Sequence, residues 1–199
     1  NGKVVGIDLS EEMVQIANQH SKGKGVANYS AKVEDISGGL SFKDHYFDKI
    51  MCRFGIMFFP DPASDLKEVV RVLKSGGRIT FASWAEPTKN PWATVASSVI
   101  NRLLELPPAP IDSPGVFRHS YPGSMRQLFV EAGLTNIAEE EITGNVIFNN
   151  SEEYWNFVTE VVAPVAVPLS KADDAMRHKA KEKVIEECSR FKRKDGKVI

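Results

Sequence analysis

The sequence predicts an α/β fold built on a doubly wound, mostly parallel sheet. Three observations carry that expectation. Short apolar, β-branched runs alternate with helically spaced segments over residues 1–85, the joining loops are short, and the helices carry their own start and stop signals. Repeated strand–helix–strand units of this kind give a parallel sheet covered on both faces.

The elements follow in order. Val4–Asp8 is a brief apolar strand that stops at an acid. Ser10 offers a helix N-cap, Glu11 and Glu12 suit the positive helix start, and Met13, Ile16, Ala17 and His20 fall at helical spacing up to a turn at Ser21–Gly25. Ala27–Val33 reads as the second strand and Phe47–Cys52 as the third, after a loop over Ser37–Tyr46. Asp61-Pro62 starts a helix with an apolar face at Leu66, Val69, Val70 and Leu73, and Gly76-Gly77 is expected to stop it. Arg78–Trp84 follows as a buried strand.

The remainder has a different texture. A helix is expected over Trp92–Leu106, before the break Pro107-Pro108-Ala109-Pro110. Ser124 is expected to cap a short helix with Leu128 and Phe129, ended by Gly133. Thr135–Thr143 and Asn145–Phe148 read as late strands. Ser151 and Ser170 each start a helix, the first aromatic (Tyr154, Trp155, Phe157), the second charged and running to about Phe191. The expected organisation is a single domain. Residues 1–85 form the α/β core, 86–133 and 151–193 a helical cover on the substrate side, and 134–150 the late strands.

Composition narrows the function. With 25 Lys and Arg against 26 Asp and Glu, the 199-residue chain has a formal net charge of −1, without the basic excess of a nucleic-acid binder. A hydrophobic share of 42% suits a globular domain rather than a disordered one. No apolar run reaches the roughly 18–20 residues of a membrane span. Only Cys52 and Cys188 are present, which argues against a disulfide framework and for a cytoplasmic setting. His20, His45, His119 and His178 show no metal-ligand spacing, so no metal is expected, and there is no nucleophile elbow or P-loop. The chain opens directly before a strand and closes on Asp195–Ile199, which resembles the start of another; both ends read as cut.

Ligands of open parallel sheets bind beyond the carboxyl ends of the strands. An acid ending a strand there can accept hydrogen bonds from both ribose hydroxyls of a nucleotide cofactor, and Asp8 stands at such a point. It can equally cap the following helix, a role Ser10 shares.

The combination of Asp8, Val33-Glu34-Asp35-Ile36, the stretch Cys52–Pro62 and the run Leu66–Arg78 resembles class I S-adenosylmethionine-dependent methyltransferases, most closely the ubiquinone/menaquinone-biosynthesis group. The match is tightest over Phe47–Trp92 and looser from Val4 onward. The resemblance implies a Rossmann-like sheet in which Asp8 holds the ribose hydroxyls and Leu9 packs on the adenine. Val33 would offer its backbone N–H to an adenine nitrogen with Glu34 beside it, and the backbone at Cys52 and Arg53 would lie along the methionine part. The Cys52 side chain itself reads as strand packing, as do Phe54, Met57, Phe58 and Phe59. Relatives carry an acid where Lys32 stands, so Glu34 or a backbone carbonyl would have to accept the adenine amino group. The family's first strand and Gly-rich loop would lie ahead of Asn1.

Methyl transfer of this class needs an acceptor aligned in line with the methyl group and shielded from water; a general base is optional. Side chains expected near the mouth are His45, Tyr46, Arg53, Trp84, Glu86, Trp92, His119 and Tyr121, with His119 and Tyr121 the candidates for catalytic roles. The apolar Trp92–Tyr121 region and the Tyr154/Trp155/Phe157 helix favour a small apolar or aromatic acceptor. Two other readings stand beside this one. The first is a non-catalytic binding or dimerising module whose open sheet edges favour a homodimer. The more distant one is an NAD(P)-dependent oxidoreductase, since a strand-ending acid also suits that cofactor's ribose.

Overall fold

A computed structural model describes residues 2–108, 110 and 112–198. The chain divides into two compact units, Asn1–Ser83 with Gly123–Ile137 and Trp84–Pro122 with Ala138–Ile199.

The first unit holds the strands. β1 (Val4–Asp8) pairs in parallel with β2 (Tyr29–Val33), in register from Val4 opposite Tyr29 to Asp8 opposite Val33. Between them runs α1 (Glu11–Gly23), capped by Ser10, whose hydroxyl accepts from Met13 N at 3.2 Å. Asn18 ties α1 to the far edge of β2: its side chain accepts from Ala31 N at 2.8 Å and donates to Ala31 O at 2.9 Å. β3 (Phe47–Arg53) pairs in parallel with β4 (Leu73–Ala82), and α2 (Pro62–Val72) is the crossover between them. Asp61 caps α2 by accepting from Ser64 N at 3.3 Å, with Pro62 in the first turn, where its missing N–H removes no helical bond. Ile56, Leu66 and Met125 are the buried centre of this unit, with Cys52, Phe59, Phe81, Leu128 and Phe129 packed against them. Met125, Leu128 and Phe129 come from α4 (Ser124–Glu131), so residues that follow a long excursion in sequence complete this core.

The second unit is helical: α3 (Pro91–Leu103), α5 (Ser151–Val161), α6 (Ala163–Ser170) and α7 (Asp174–Cys188). Ala96, Val99, Ile100, Phe148, Tyr154, Val158, Val165, Val184 and Cys188 form its core.

Several elements differ from expectation. The strands form two separate two-stranded parallel sheets, and among the described residues no strand joins β1 to β3. α2 ends at Val72, ahead of Gly76-Gly77, because Leu73 turns into extended backbone and pairs with Phe47; β4 then runs on through both glycines. The register shifts between Phe47 and Lys49, and Gly76 takes up the irregularity at φ 74°. Gly123, at φ 82°, rather than Ser124, occupies the N-cap of α4. Residues 135–147 form no strand. Thr135–Thr143 holds three consecutive glutamates and finds no strand to pair with among the described residues; Phe148 makes an isolated antiparallel bridge to Val198. Ser170 ends α6 instead of starting a helix, and the charged helix begins at Asp174, capped by Asp173 accepting from Met176 N at 2.7 Å. The expected helix to Leu106 stops at Leu103. Ala109 of the proline break and Ile199 of the closing run lie outside the described residues.

Candidate cofactor site

The carboxyl ends of β1 and β2 bring together the residues singled out for a nucleotide. Asp8 ends β1 with its carboxylate exposed. One oxygen accepts from Ser10 N at 2.9 Å, so the helix-entry role is real, and the second oxygen takes no hydrogen bond among the described residues. Leu9, next along, is 67% exposed.

Across the pair, the parallel ladder fixes which amides are spoken for. Val4 N donates to Asn28 O at 2.9 Å and Glu34 N to Asp8 O at 3.1 Å, so even-numbered residues of both strands face the partner strand. The amide of Val33 therefore points to the outer edge of β2, the edge on which Asn18 holds Ala31. Val33 itself is 51% exposed. An acceptor carboxylate on one strand end and an outward amide on the next are the two groups that a nucleoside's ribose and base require, and the residues present fit that end of the cofactor.

Glu34 stands beside this amide but turns inward. Its Oε2 pairs with Lys32 Nζ at 2.8 Å and its Oε1 accepts from Ser41 N at 2.5 Å. Lys32 Nζ also donates to Ser41 Oγ and lies 3.9 Å over the centre of the Phe42 ring. Burial alone would raise the Glu34 carboxyl; the Lys32 and Ser41 hydrogen bonds outweigh it and hold the group below the usual carboxylate range. The Glu34 carboxylate is thus held between Lys32 and Ser41.

At the end of β3, Phe54 N donates to Ala82 O at 2.8 Å, and Phe54 adopts φ 56°. The Arg53 guanidinium lies 4.9 Å from the centre of the Phe54 ring. Cys52 is partly buried, and burial raises its thiol against hydrogen bonds from the Gly55 and Ile56 amides. A Cβ on Gly55 would stand 2.9 Å from the Cys52 sulfur, so the close approach here requires glycine. Met57 is buried and Phe59 joins the core as expected, whereas Phe58 is half exposed.

The remaining candidates are distributed. His45 Nδ1 lies 3.1 Å from Leu73 O, and Tyr46 stacks on Phe42. In the second unit Trp92 Nε1 donates to Asn90 Oδ1 at 3.2 Å, with its ring 4.7 Å from that of Trp84. Glu86 pairs with Lys89, which also bonds Glu141 at 2.6 Å. His119 sits at φ 60°; burial first, then Arg118, lowers its pKa against an opposing pull from Asp112. Tyr121 is exposed. Tyr154 is a core residue whose hydroxyl bonds Ala96 N and Trp92 O, so it packs α5 onto α3 and presents no polar group outward. Among the described residues no cluster of His, Cys, Asp or Glu could hold a metal, and no helix is long and apolar enough to cross a membrane.

Ser41 and Phe42, which contact Lys32 or Glu34, and Glu68 and Arg71, which bond the loop carrying them, were given no role by sequence reasoning. Their contacts span up to 31 residues, and no periodicity reports such pairings.

The fold is that of the Rossmann-like methyltransferases. It superimposes on the YcgJ protein of Bacillus subtilis with a TM-score of 0.55 at 22% identity, over 89% of this chain and 71% of that one. It also superimposes on the [4+2]-cyclase SpnF with a TM-score of 0.54 at 17% identity, over 99% of this chain and 63% of that one. The chain belongs to the methyltransferase domain family, whose model matches residues 1–109. It is similar to ubiquinone/menaquinone biosynthesis C-methyltransferases, at 24% identity to that of Yersinia enterocolitica over 155 residues and 24% to that of Proteus mirabilis over 156. These matches take in 73% and 74% of this chain and span 62% of each relative's length.

Proposed function

We propose that this chain binds S-adenosylmethionine and serves the transfer of its methyl group to a small apolar or aromatic acceptor, leaving S-adenosylhomocysteine. The cofactor supplies a methyl group on a positively charged sulfur, already activated, so little chemistry is asked of the protein. The chain's part is to bind, orient and exclude water. The observation that carries the reading is the exposed Asp8 carboxylate at the end of β1, paired in register with Val33.

In this assignment Asp8 accepts from the ribose hydroxyls while still holding Ser10 N, and Leu9 covers one face of the adenine. The Val33 amide donates to a ring nitrogen, and a backbone carbonyl beside Glu34 accepts from the amino group. The Cys52–Arg53 backbone runs along the methionine part. His119, whose lowered pKa favours the neutral ring near pH 7, is the candidate base for an acceptor that must lose a proton, with Tyr121 nearby in sequence. The aromatic cluster of Trp84, Trp92, Phe148 and Phe157 supports an apolar or aromatic acceptor. The near-neutral charge supports a small molecule over nucleic acid. The fold alone does not decide the reaction, since a [4+2]-cyclase shares it.

The test is calorimetric titration of S-adenosylhomocysteine into the chain and into Asp8→Asn. Hydrogen bonds to a charged group contribute about 1.5–3 kcal/mol each, so losing one is expected to weaken binding about ten- to hundredfold. No binding to the unaltered chain, or equal binding to Asp8→Asn, overturns the reading.

A further inference from the structure

We infer that Arg71 is a positioning residue for the base end of the cofactor site, holding from α2 the loop whose Ser41 fixes the carboxylate of Glu34, the residue that follows Val33. The inference rests on the cofactor reading above and goes beyond it, because Arg71 belongs to α2 and not to the strand ends that form the site.

Arg71 Nε donates to Glu68 Oε2 at 2.8 Å and Nη2 to Glu68 Oε1 at 2.5 Å, a two-bond fork that fixes the plane of the group. Its remaining donors go to one short stretch of loop. Nη2 reaches Leu40 O at 2.9 Å, while Nη1 reaches Phe42 O at 3.0 Å and Asp44 Oδ1 at 2.5 Å. Glu68 Oε1 also accepts from Leu40 N at 2.7 Å. The end of α2 grips the same loop through its last carbonyls, with His45 N donating to Arg71 O at 2.9 Å and Tyr46 N to Val72 O at 2.8 Å.

Ser41 is the residue between the two pinned carbonyls. With Leu40 and Phe42 both held by one rigid guanidinium, the Ser41 backbone has little freedom left. Its N–H donates to Glu34 Oε1 and its hydroxyl accepts from Lys32 Nζ. Arg71 thus acts on the strand end through Ser41 without touching it. The result is a carboxylate held inward between Ser41 and Lys32, which anchors residue 34 and so the direction of the Val33 amide one residue before it. A lysine at position 71 has a charge but no planar fork, and cannot hold Glu68 and two separate carbonyls at once.

The experiment compares the unaltered chain with Arg71→Met, Arg71→Lys, Glu34→Gln and the double variant Arg71→Met/Glu34→Gln. Two readouts are taken: hydrogen exchange at the Ser41 amide without ligand, and calorimetric affinity for S-adenosylhomocysteine. Expected are exchange at Ser41 faster by tenfold or more in both Arg71 variants, and affinity about tenfold weaker. The double variant is expected to bind no more weakly than the weaker single one, because both act on one feature. If Arg71→Met does not fold, Glu68→Gln loosens the same fork and is expected to show both changes in smaller measure. Unchanged exchange at Ser41 overturns the inference, as does unchanged affinity in a chain that binds the ligand. Losses that multiply in the double variant overturn it too, since they mark a general structural role. Failure of the unaltered chain to bind is a separate outcome, which removes the cofactor reading and the positioning role with it.

Discussion

Replacing Tyr154 by phenylalanine tests how the helical unit is held together, and the structure sets the size of the effect. The Tyr154 hydroxyl accepts from Ala96 N at 3.2 Å and donates to Trp92 O at 3.0 Å. Those two groups are four residues apart in α3, the spacing of an ordinary helical hydrogen bond, so the hydroxyl bridges one rung of the helix ladder. Burial, with a smaller push from Cys188, raises the phenol's pKa well above its ordinary value against the Ala96 bond, so it stays neutral and donates at every working pH. Each net hydrogen bond of this kind contributes about 1 kcal/mol, and a buried group left unpaired costs about 1–3 kcal/mol. In Tyr154→Phe the Ala96 amide and Trp92 carbonyl can pair with each other, which limits the loss to about 1–2 kcal/mol. Tyr154→Ala also removes the ring's edge contact with Phe148, at 5.2 Å between centroids, and leaves a cavity among buried side chains, for about 3–5 kcal/mol. Urea unfolding followed by circular dichroism measures both, and exchange at the Ala96 amide reports whether the rung closes. S-Adenosylhomocysteine affinity is expected to be unaltered in the phenylalanine variant. A loss above about 3 kcal/mol for Tyr154→Phe would refute the closing of the rung, and one below about 0.5 kcal/mol would refute any role for the hydroxyl.

Two further outcomes follow from unit one. The folded Glu34 carboxyl lies below its ordinary value of 4.5, so it adds stability that is present above that pH and lost as pH falls through the folded value; Lys32→Met is expected to flatten this acid limb in a pH series of urea midpoints, and an unchanged limb counts against the Lys32–Glu34 pair. The edges of β1 and β3 present exposed Ile7 and Met51, the latter 79% exposed, and are expected to drive concentration-dependent self-association that Met51→Lys weakens; sedimentation showing one monomeric species across the concentration range excludes it.

Much of the site was legible because strand ends and caps are local features. Asp8 stops a β-branched run and Ser10 opens a helix, and both positions follow from neighbours within a few residues. Asp61-Pro62 marked the start of α2 for the same reason. The late strands over 135–148 failed because pairing is not local: an alternating segment becomes a strand only where another edge accepts it, and residues 135–147 meet none among the described residues. Gly76-Gly77 misled in a related way. Glycines after a helix usually stop it, but pairing of Leu73 with Phe47 drew the chain into β4 before they were reached. Tyr154 read as part of an acceptor-facing aromatic helix, yet its neighbours across 58–62 residues make it a pillar of the core.

By itself the sequence determined the parallel strand–helix units, the acid at the carboxyl end of β1 and the run Val33-Glu34 at the carboxyl end of β2, because periodicity and capping are written within a turn or two of chain. The tertiary structure alone decided that Glu34 turns inward to Lys32 and Ser41, that Arg71 holds the loop carrying Ser41, and that α4 completes the core beside α2. Those outcomes depend on which distant groups meet when apolar faces are buried and buried polar atoms must find partners, and no local pattern specifies that meeting.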